Sequence, residues 1–255
     1  MISVIIPTYK EPDYLDLCLE SAISGQEHDN QIIVVVDGYY DTNKHVLDRH
    51  KANIEVVQFD SNQGLPRATN VGVYNANREF VLVVNDDNVF PYAWDTNLLD
   101  VYRDNSVITP NQIEPNPSMF KQFKIENMGR TVEEFNLDLF WEYEQRIQRR
   151  GEIDFSGSTL PFMMKKQDYM RIGGWDENYP TNGVVADWDF FLKCKLSNMD
   201  MVRTYGCHFY HFAQIATGTE RQEVEAIGHE YARYKWGNYI QHNTRDNSKF
   251  VATEK

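Results

Sequence analysis

Ile32-Ile33-Val34-Val35-Val36-Asp37-Gly38 is an unbroken apolar run closed by a polar turn. A strand with one wet face alternates apolar and polar residues, so a continuous run of β-branched side chains predicts a strand covered on both faces. Upstream, Val4-Ile5-Ile6 is a shorter run of the same kind, and Leu15, Cys18, Leu19, Ala22 and Ile23 follow it at helical spacing. Downstream, residues 54–59 and 80–84 repeat the strand pattern. Between them Gly64-Leu65-Pro66 opens a stretch whose Ala68, Val71, Gly72 and Ala76 suit a helix packed closely on a sheet. Four strand-helix units in a row predict an α/β fold, Rossmann-like and doubly wound, with a mostly parallel central sheet flanked by helices.

In such a sheet ligands bind beyond the carboxyl ends of the strands, where the strand order reverses. The polar strand ends are Pro7-Thr8-Tyr9-Lys10-Glu11, Asp37-Gly38, Asp60-Ser61-Asn62 and Asn85-Asp86-Asp87-Asn88. Each alone is ordinary turn chemistry. Together they place a candidate site along one edge.

Residues 111–154 break the alternation, with Pro110, Pro115 and Pro117 around a loop and a charged, helical stretch expected over 131–150. They read as an insertion over the sheet edge. Its Phe120, Phe123, Phe135, Phe140, Trp141 and Tyr143 fit a lid, a subunit interface or a membrane-facing patch. Beyond it a strand is expected over 159–164, a short helix around Phe190, Phe191 and Cys194, and a strand over 201–210. A last helix over 220–239 carries Val224, Ile227, Tyr231 and Tyr234 along one stripe.

The composition agrees with a soluble globular chain: 255 residues, 42% hydrophobic and 25% charged. Disorder, collagen and coiled coil are excluded. With 38 acidic against 25 basic residues the net charge is −13. A phosphate backbone would be repelled, so nucleic acid is not an expected partner, and an anionic ligand must be held by local devices. Cys18, Cys194 and Cys207 are odd in number and far apart, which predicts reduced core thiols rather than disulfides. No leader pattern and no run approaching the ~20 apolar residues of a membrane span is present, so a cytoplasmic, unanchored protein is expected.

The adjacent carboxylates of Asp86 and Asp87 repel each other unless a cation or hydrogen-bond donors offset them. Hard oxygen ligands suit Mg²⁺ or Mn²⁺. The alternative is an N-cap for a helix suggested by Pro91, Trp94, Leu98 and Leu99.

With Pro7-Thr8-Tyr9, Asp37, Asn62-Gln63-Gly64, Asn70-Val71-Gly72, Asp86-Asp87, Gly173-Gly174-Trp175-Asp176-Glu177 and Ala186-Asp187-Trp188-Asp189 in this order, the sequence resembles the inverting family 2 glycosyltransferases of the GT-A fold. The resemblance spans roughly residues 2–212. It implies transfer of a sugar, a hexosyl group expected, from a nucleoside-diphosphate donor, commonly a UDP-sugar, to an acceptor hydroxyl with inversion. The acceptor would be a glycan, a lipid-linked group or a protein. Pro7, Thr8 and Tyr9 would line the nucleotide with Glu11 nearby, Asp37 would accept the base N–H, and Arg67 would stand near the nucleotide or phosphate. Asp86 would contact ribose or metal and Asp87 the metal. A further Asp common in the family two residues before the pair is Val84 here, which leaves the choice between the two open. Asp187 matches the catalytic base, with helix capping as its alternative. His211, in preference to His208, would be a further metal ligand. Trp175, Asp176 and Glu177 would lie by the donor sugar and acceptor. Lys235-Trp236 could fold back over the diphosphate, although a solvated Lys beside a packed Trp is the plainer expectation. Mn²⁺ or Mg²⁺ is the implied cofactor.

The division expected is a transferase domain over 1–215, with a nucleotide-binding half over 1–110 and an acceptor-side half over 111–215, followed by a helical extension over 216–255. A non-catalytic nucleotide-sugar-binding protein and a retaining GT-A transferase are the alternatives. A nucleotidyltransferase would want a Gly-rich, Arg-containing loop after the first strand, and Pro7 to Glu11 is not one. The oligomeric state is not legible.

Overall fold

The computed structural model describes residues 1–116, 121–213 and 219–237. Its first half follows the expected alternation: β1 (Ile2–Thr8), α1 (Pro12–Ser24), β2 (Gln31–Asp37), α2 (Tyr40–His50), β3 (Glu55–Phe59), α3 (Leu65–Asn75) and β4 (Phe80–Val83). Every residue of β1, β2 and β4 is buried, as their unbroken apolar runs require. Val4, Ile6, Val34 and Val36 join Leu15, Cys18 and Leu19 on one face of the sheet. Ile5, Ile33 and Val35 join Ala68 and Val73 on the other. Gly72 allows α3 to lie close: a Cβ there would stand 2.3 Å from a methyl of Ile5.

The second half comprises β5 (Asn88–Val89), α4 (Trp94–Leu99), β6 (Ser106–Glu114), β7 (Lys124–Ile125), α5 (Leu137–Ile147), β8 (Ile153–Asp154), β9 (Phe162–Lys165), α6 (Lys166–Arg171), α7 (Ala186–Leu196), β10 (Asp200–His211) and α8 (Thr219–Trp236). The sheet order is β3-β2-β1-β4-β9-β6-β10-β5. β1 pairs in parallel with both β2 and β4, so the winding reverses at β1 and a crevice opens beyond its end. β9 runs antiparallel between β4 and β6, and β6 runs parallel to β10. β6 and β10 therefore point the same way as β1, and Glu114 and His211 end on the edge that carries Thr8 and Asp37.

Several sequence expectations are corrected. Residues 111–114 are not the start of an insertion. They complete β6, whose nine residues are all buried; the prolines that suggested a loop are accommodated at Pro110, inside the strand, and beyond its end. The helix expected over 131–150 is confined to α5, preceded by a 3₁₀ turn at Val132–Glu134, and the strand expected from 159 begins at Phe162. Pro117, Phe120 and Tyr239 lie outside the described residues, as do Gln214 and Ile215. Phe140 packs with Tyr210, Phe212 and Ile113, and Phe135 packs against them, so these aromatics form a core between α5 and the sheet.

The three thiols are buried and unpaired with one another. Among the described residues no helix is long and apolar enough to cross a membrane.

Candidate active site

The acidic pair follows β4 and leads into β5. It caps no helix, because α4 starts only at Trp94 with Ala93 as its cap residue. Across the crevice the Thr8 hydroxyl donates to Asp86 Oδ2 at 2.7 Å. Burial and the neighbouring charge of Asp87 push the Asp86 carboxyl up to about 7, against the pull of the Thr8 donor.

Asp87 meets β10. Its Oδ2 lies 3.4 Å from His211 Nε2, while His211 Nδ1 lies 2.9 Å from Glu114 Oε1. Burial alone would lower the imidazole pKa, but the carboxylates of Asp87 and Glu114 outweigh it and push it up to about 10. A proton on Nδ1 donated to Glu114 leaves Nε2 facing Asp87, and two lone pairs repel there unless a proton or a cation lies between them. Asp87 Oδ1 is buried without a hydrogen-bond partner among the described residues. Carboxylate oxygen suits Mn²⁺ or Mg²⁺, imidazole nitrogen favours Mn²⁺ of the two, and a carboxylate behind the ligating imidazole is the usual supporting contact. No complete cage of three His, Cys, Asp or Glu groups is assembled among the described residues. A cation would therefore take its remaining ligands from substrate and water, as Mg²⁺ commonly does.

The two histidines are separated by the strand itself. Three positions apart, they face opposite sides. His208 is 4% exposed; its backbone N–H donates to Glu144 Oε1 at 3.0 Å and its Nδ1 lies 3.3 Å from the same oxygen. It fastens α5 to β10 and stands away from the Asp87 side.

Both carboxylate oxygens of Asp37 already accept from the chain. Its Oδ1 accepts from the Gln63 N–H at 2.5 Å and its Oδ2 from the Gly64 N–H at 2.9 Å. Burial raises its pKa against those two donors. The carboxylate thus fixes the 60–64 loop beside the crevice. Tyr9 is half-buried and edge-on to Tyr39, ring centroids 4.9 Å apart. Pro7 is buried inside β1 opposite Val35, and Glu11 precedes α1. Arg67 is exposed on α3, donating to Gln63 Oε1 at 3.3 Å.

On the far side Asp187 lies in the first turn of α7. Burial pushes its carboxyl up to about 6, with the N–H groups of Trp188 and of Asp187 itself opposing and the charge of Glu225 adding to the rise. Trp175 corrects an expectation: it is 2% exposed and stacks on Phe190 at 5.6 Å and 17°. Its face is part of the core and is not available to a sugar. Its backbone N–H donates to Asn70 Oδ1 at 2.9 Å, which also accepts from the Tyr169 hydroxyl at 2.6 Å. Asn70 Nδ2 donates to Trp175 O at 3.0 Å and to Glu177 Oε1 at 2.8 Å. Asp176 Oδ2 accepts from Lys235 Nζ at 2.7 Å and from the Tyr231 hydroxyl at 3.2 Å. Lys235 is an exposed residue whose Nζ is paired a second time, 2.8 Å from Asp189 Oδ1. Burial tends to raise the Asp176 pKa, but Lys235 and Asn178 hold it below the usual range.

Two residues escaped the sequence reading. Glu114 was hidden because its strand is interrupted by Pro110 and followed by prolines; assigned to a strand parallel to β1, it falls on the ligand edge at once. Asn70 carried a motif but no role, because its three partner residues, Tyr169, Trp175 and Glu177, come from a distant stretch of the chain.

The sequence profile described as Glycosyl transferase family 2 matches residues 3–169. The chain is 22% identical over 193 residues to the poly-beta-1,6-N-acetyl-D-glucosamine synthase of Staphylococcus epidermidis, which covers 75% of this chain and 46% of that protein. The chain thus spans about half the length of that relative. Among solved structures, S. aureus TarS 1–349 in complex with UDP-GlcNAc superposes with a TM-score of 0.57 at 18% identity, over 93% of this chain and 73% of that one. GalNAc-T7 with UDP, GalNAc and Mn²⁺ gives 0.58 at 11% identity, over 97% and 54%. At these identities the structures establish a shared fold, a mixed α/β domain with a central mostly parallel sheet.

Proposed function

The chain belongs to glycosyl transferase family 2, and from that premise we propose that it moves a sugar from a UDP-sugar to an acceptor hydroxyl with inversion, using Asp187 as the general base. The observation that carries the reading is the meeting of Asp87 and His211 Nε2 at the ligand edge of the sheet, with a buried carboxylate oxygen left over and Glu114 supporting the imidazole. UDP as the nucleotide draws support from the UDP and UDP-GlcNAc held by the two structural neighbours.

Thr8, Tyr9 and the loop fixed by Asp37 form the wall for the nucleoside, and Asp86, held by Thr8, faces the ribose. Asp87 and His211 Nε2 would hold Mn²⁺ or Mg²⁺, which supplies positive charge against the leaving diphosphate. Glu114 holds the Nδ1 proton, and a bound cation would take the place of the proton that otherwise lies between Nε2 and Asp87. The Asp187 carboxylate takes the proton of the acceptor hydroxyl as that oxygen attacks the anomeric carbon, and the bond from that carbon to the diphosphate oxygen breaks with its electron pair. A carboxyl titrating near 6 is ionised at neutral pH yet more basic than an ordinary aspartate. Attack from the face opposite the leaving group inverts the centre. Trp175 takes no part in sugar contact.

The test is release of nucleoside diphosphate from a panel of nucleotide sugars with Mn²⁺, Mg²⁺ or EDTA, comparing the parent with Asp187→Asn and Asp87→Ala. Metal-dependent release from one donor, abolished in both variants, is the expected result. Release that persists in EDTA or survives Asp187→Asn overturns the reading. A donor that raises the melting temperature with metal but is never turned over, whatever acceptor is added, points to a binding protein instead.

A further inference from the structure

Asp189 is fully buried. Among the described residues its two close partners come from the end of α8 and converge on one oxygen: Lys235 Nζ at 2.8 Å and Trp236 Nε1 at 2.5 Å. The other oxygen has no hydrogen-bond partner among the described residues; its nearest cation is Lys193 Nζ at 3.7 Å, one turn along the same helix. A buried carboxylate that loses its paired cation is strongly destabilised, so α7 is oriented by a contact that α8 supplies. Lys235 joins this group to Asp176 as well, at 2.7 Å.

α8 grips the segment before α7 in a second place. A Cβ at Gly228 would lie 2.5 Å from Val184 O and 3.1 Å from a methyl of Val185. Val185 is the residue before α7 and has φ of 73°, a left-handed conformation that a β-branched side chain adopts only when its surroundings impose it. The Trp188 ring lies 4.5 Å from that of His229. Asp187 stands between Val185 and Asp189, with gripped residues on both sides.

We propose that α8 is a working part of the site and that Lys235 and Trp236, by clamping Asp189, are positioning residues that hold the first turn of α7 and with it the Asp187 carboxylate. The catalytic consequence rests on the role assigned to Asp187 above; the mechanical one does not. A helix clamped at Asp189 cannot rotate about its axis without breaking an ion pair whose carboxylate is buried, and displacement of a reacting group by about 1 Å can cost about a hundredfold in rate. Lys235 acts here through Asp189, in contrast to a cation resting on the donor diphosphate.

The experiment compares the full chain with Lys235→Met and Lys235→Arg by three readouts: hydrogen exchange at the amides of residues 190–192, which close the first turn of α7; affinity for UDP with Mn²⁺; and kcat with the active donor. Lys235→Met is expected to speed that exchange at least about tenfold, to leave the UDP dissociation constant within about twofold, and to lower kcat by about tenfold to a hundredfold. Lys235→Arg restores both exchange and kcat. Unchanged exchange in Lys235→Met overturns the proposal, and so does a loss of UDP affinity that matches the loss of kcat, which would place Lys235 on the diphosphate. If Lys235→Met does not fold, Trp236→Phe removes a single N–H donor to Asp189, and its exchange at 190–192 decides in the same way. A parent that turns over no donor sinks the transferase reading, while the exchange comparison still decides the clamp.

Discussion

The strand-end side of the site and the α7–α8 side hold their acidic groups by opposite means. Along the strand ends, Asp86 is met by a hydroxyl and Asp87 by an imidazole, and a buried oxygen of Asp87 is left over. On the other side Asp176 and Asp189 are met by an ammonium and an indole from one helix, 59 and 47 residues further along the chain. The first arrangement leaves negative charge for something outside the protein to neutralise. The second neutralises its own. On the α7 side Asp187 is kept basic by burial first and by the anionic Glu225 second. In the proposed mechanism the cation and the general base sit on separate elements, the strand ends and α7.

The sharpest way to break that contrast is Asp187→Asn. Loss of a positioned general base should lower kcat by about 10² to 10⁴, with UDP affinity unchanged because the nucleotide side is untouched. The parent's rate should rise as pH increases through about 6, the value to which burial pushes this carboxyl, and the variant should lack that limb. The stability linkage has the opposite sense. The folded-state pKa lies above the unfolded value of about 3.9, so the folded protein holds the proton more tightly and loses stability as pH rises from about 4 to about 6. Asp187→Asn abolishes that loss, so its melting temperature relative to the parent should climb between pH 4 and pH 7. A variant that melts lower at pH 7 than at pH 4 relative to the parent would mean that Asp187 is a structural carboxylate like Asp189.

Trp175→Ala probes the packing that separates the two sides. The ring is buried and stacked on Phe190 of α7, so its removal should cost about 3–5 kcal/mol of folding stability, read from denaturant unfolding. Donor KM measured well below the new melting point should move little, since the ring lies in the core. A large rise in KM with unchanged stability would return Trp175 to the sugar.

How much was legible in the sequence divides along the same line. Continuous apolar runs announced β1, β2 and β4, and their polar ends announced Thr8, Asp37, Asp86 and Asp87, because strand and ligand edge are encoded within a few consecutive residues. Glu114 was lost when prolines disguised β6 as the start of a loop. Trp175 was misjudged because an aromatic beside two glycines looks the same whether it faces a sugar or a phenylalanine fifteen residues on. The roles of Lys235 and Trp236 were out of reach for a stronger reason: a cationic helix end looks solvated until the tertiary fold brings Asp176 and Asp189 to it.

The mildest test asks whether Asp37 reads the nucleobase directly or through its loop. Both carboxylate oxygens already accept backbone N–H groups, from Gln63 and Gly64. Asp37→Asn keeps one acceptor and turns an NH₂ toward the other donor, which should cost about 1–3 kcal/mol, visible as a lowered melting temperature. A direct contact to the uracil N–H would make UDP suffer more than CDP, because cytosine presents an acceptor at the same ring position and an amide can donate to it. Action through the loop would weaken UDP and CDP alike. With both oxygens engaged by the chain, equal weakening is the expected outcome, and Asp37 would then share with Asp189 the task of holding structure next to the chemistry. A switch of preference toward CDP would instead place Asp37 with Asp87, among the strand-end carboxylates that keep capacity for the ligand.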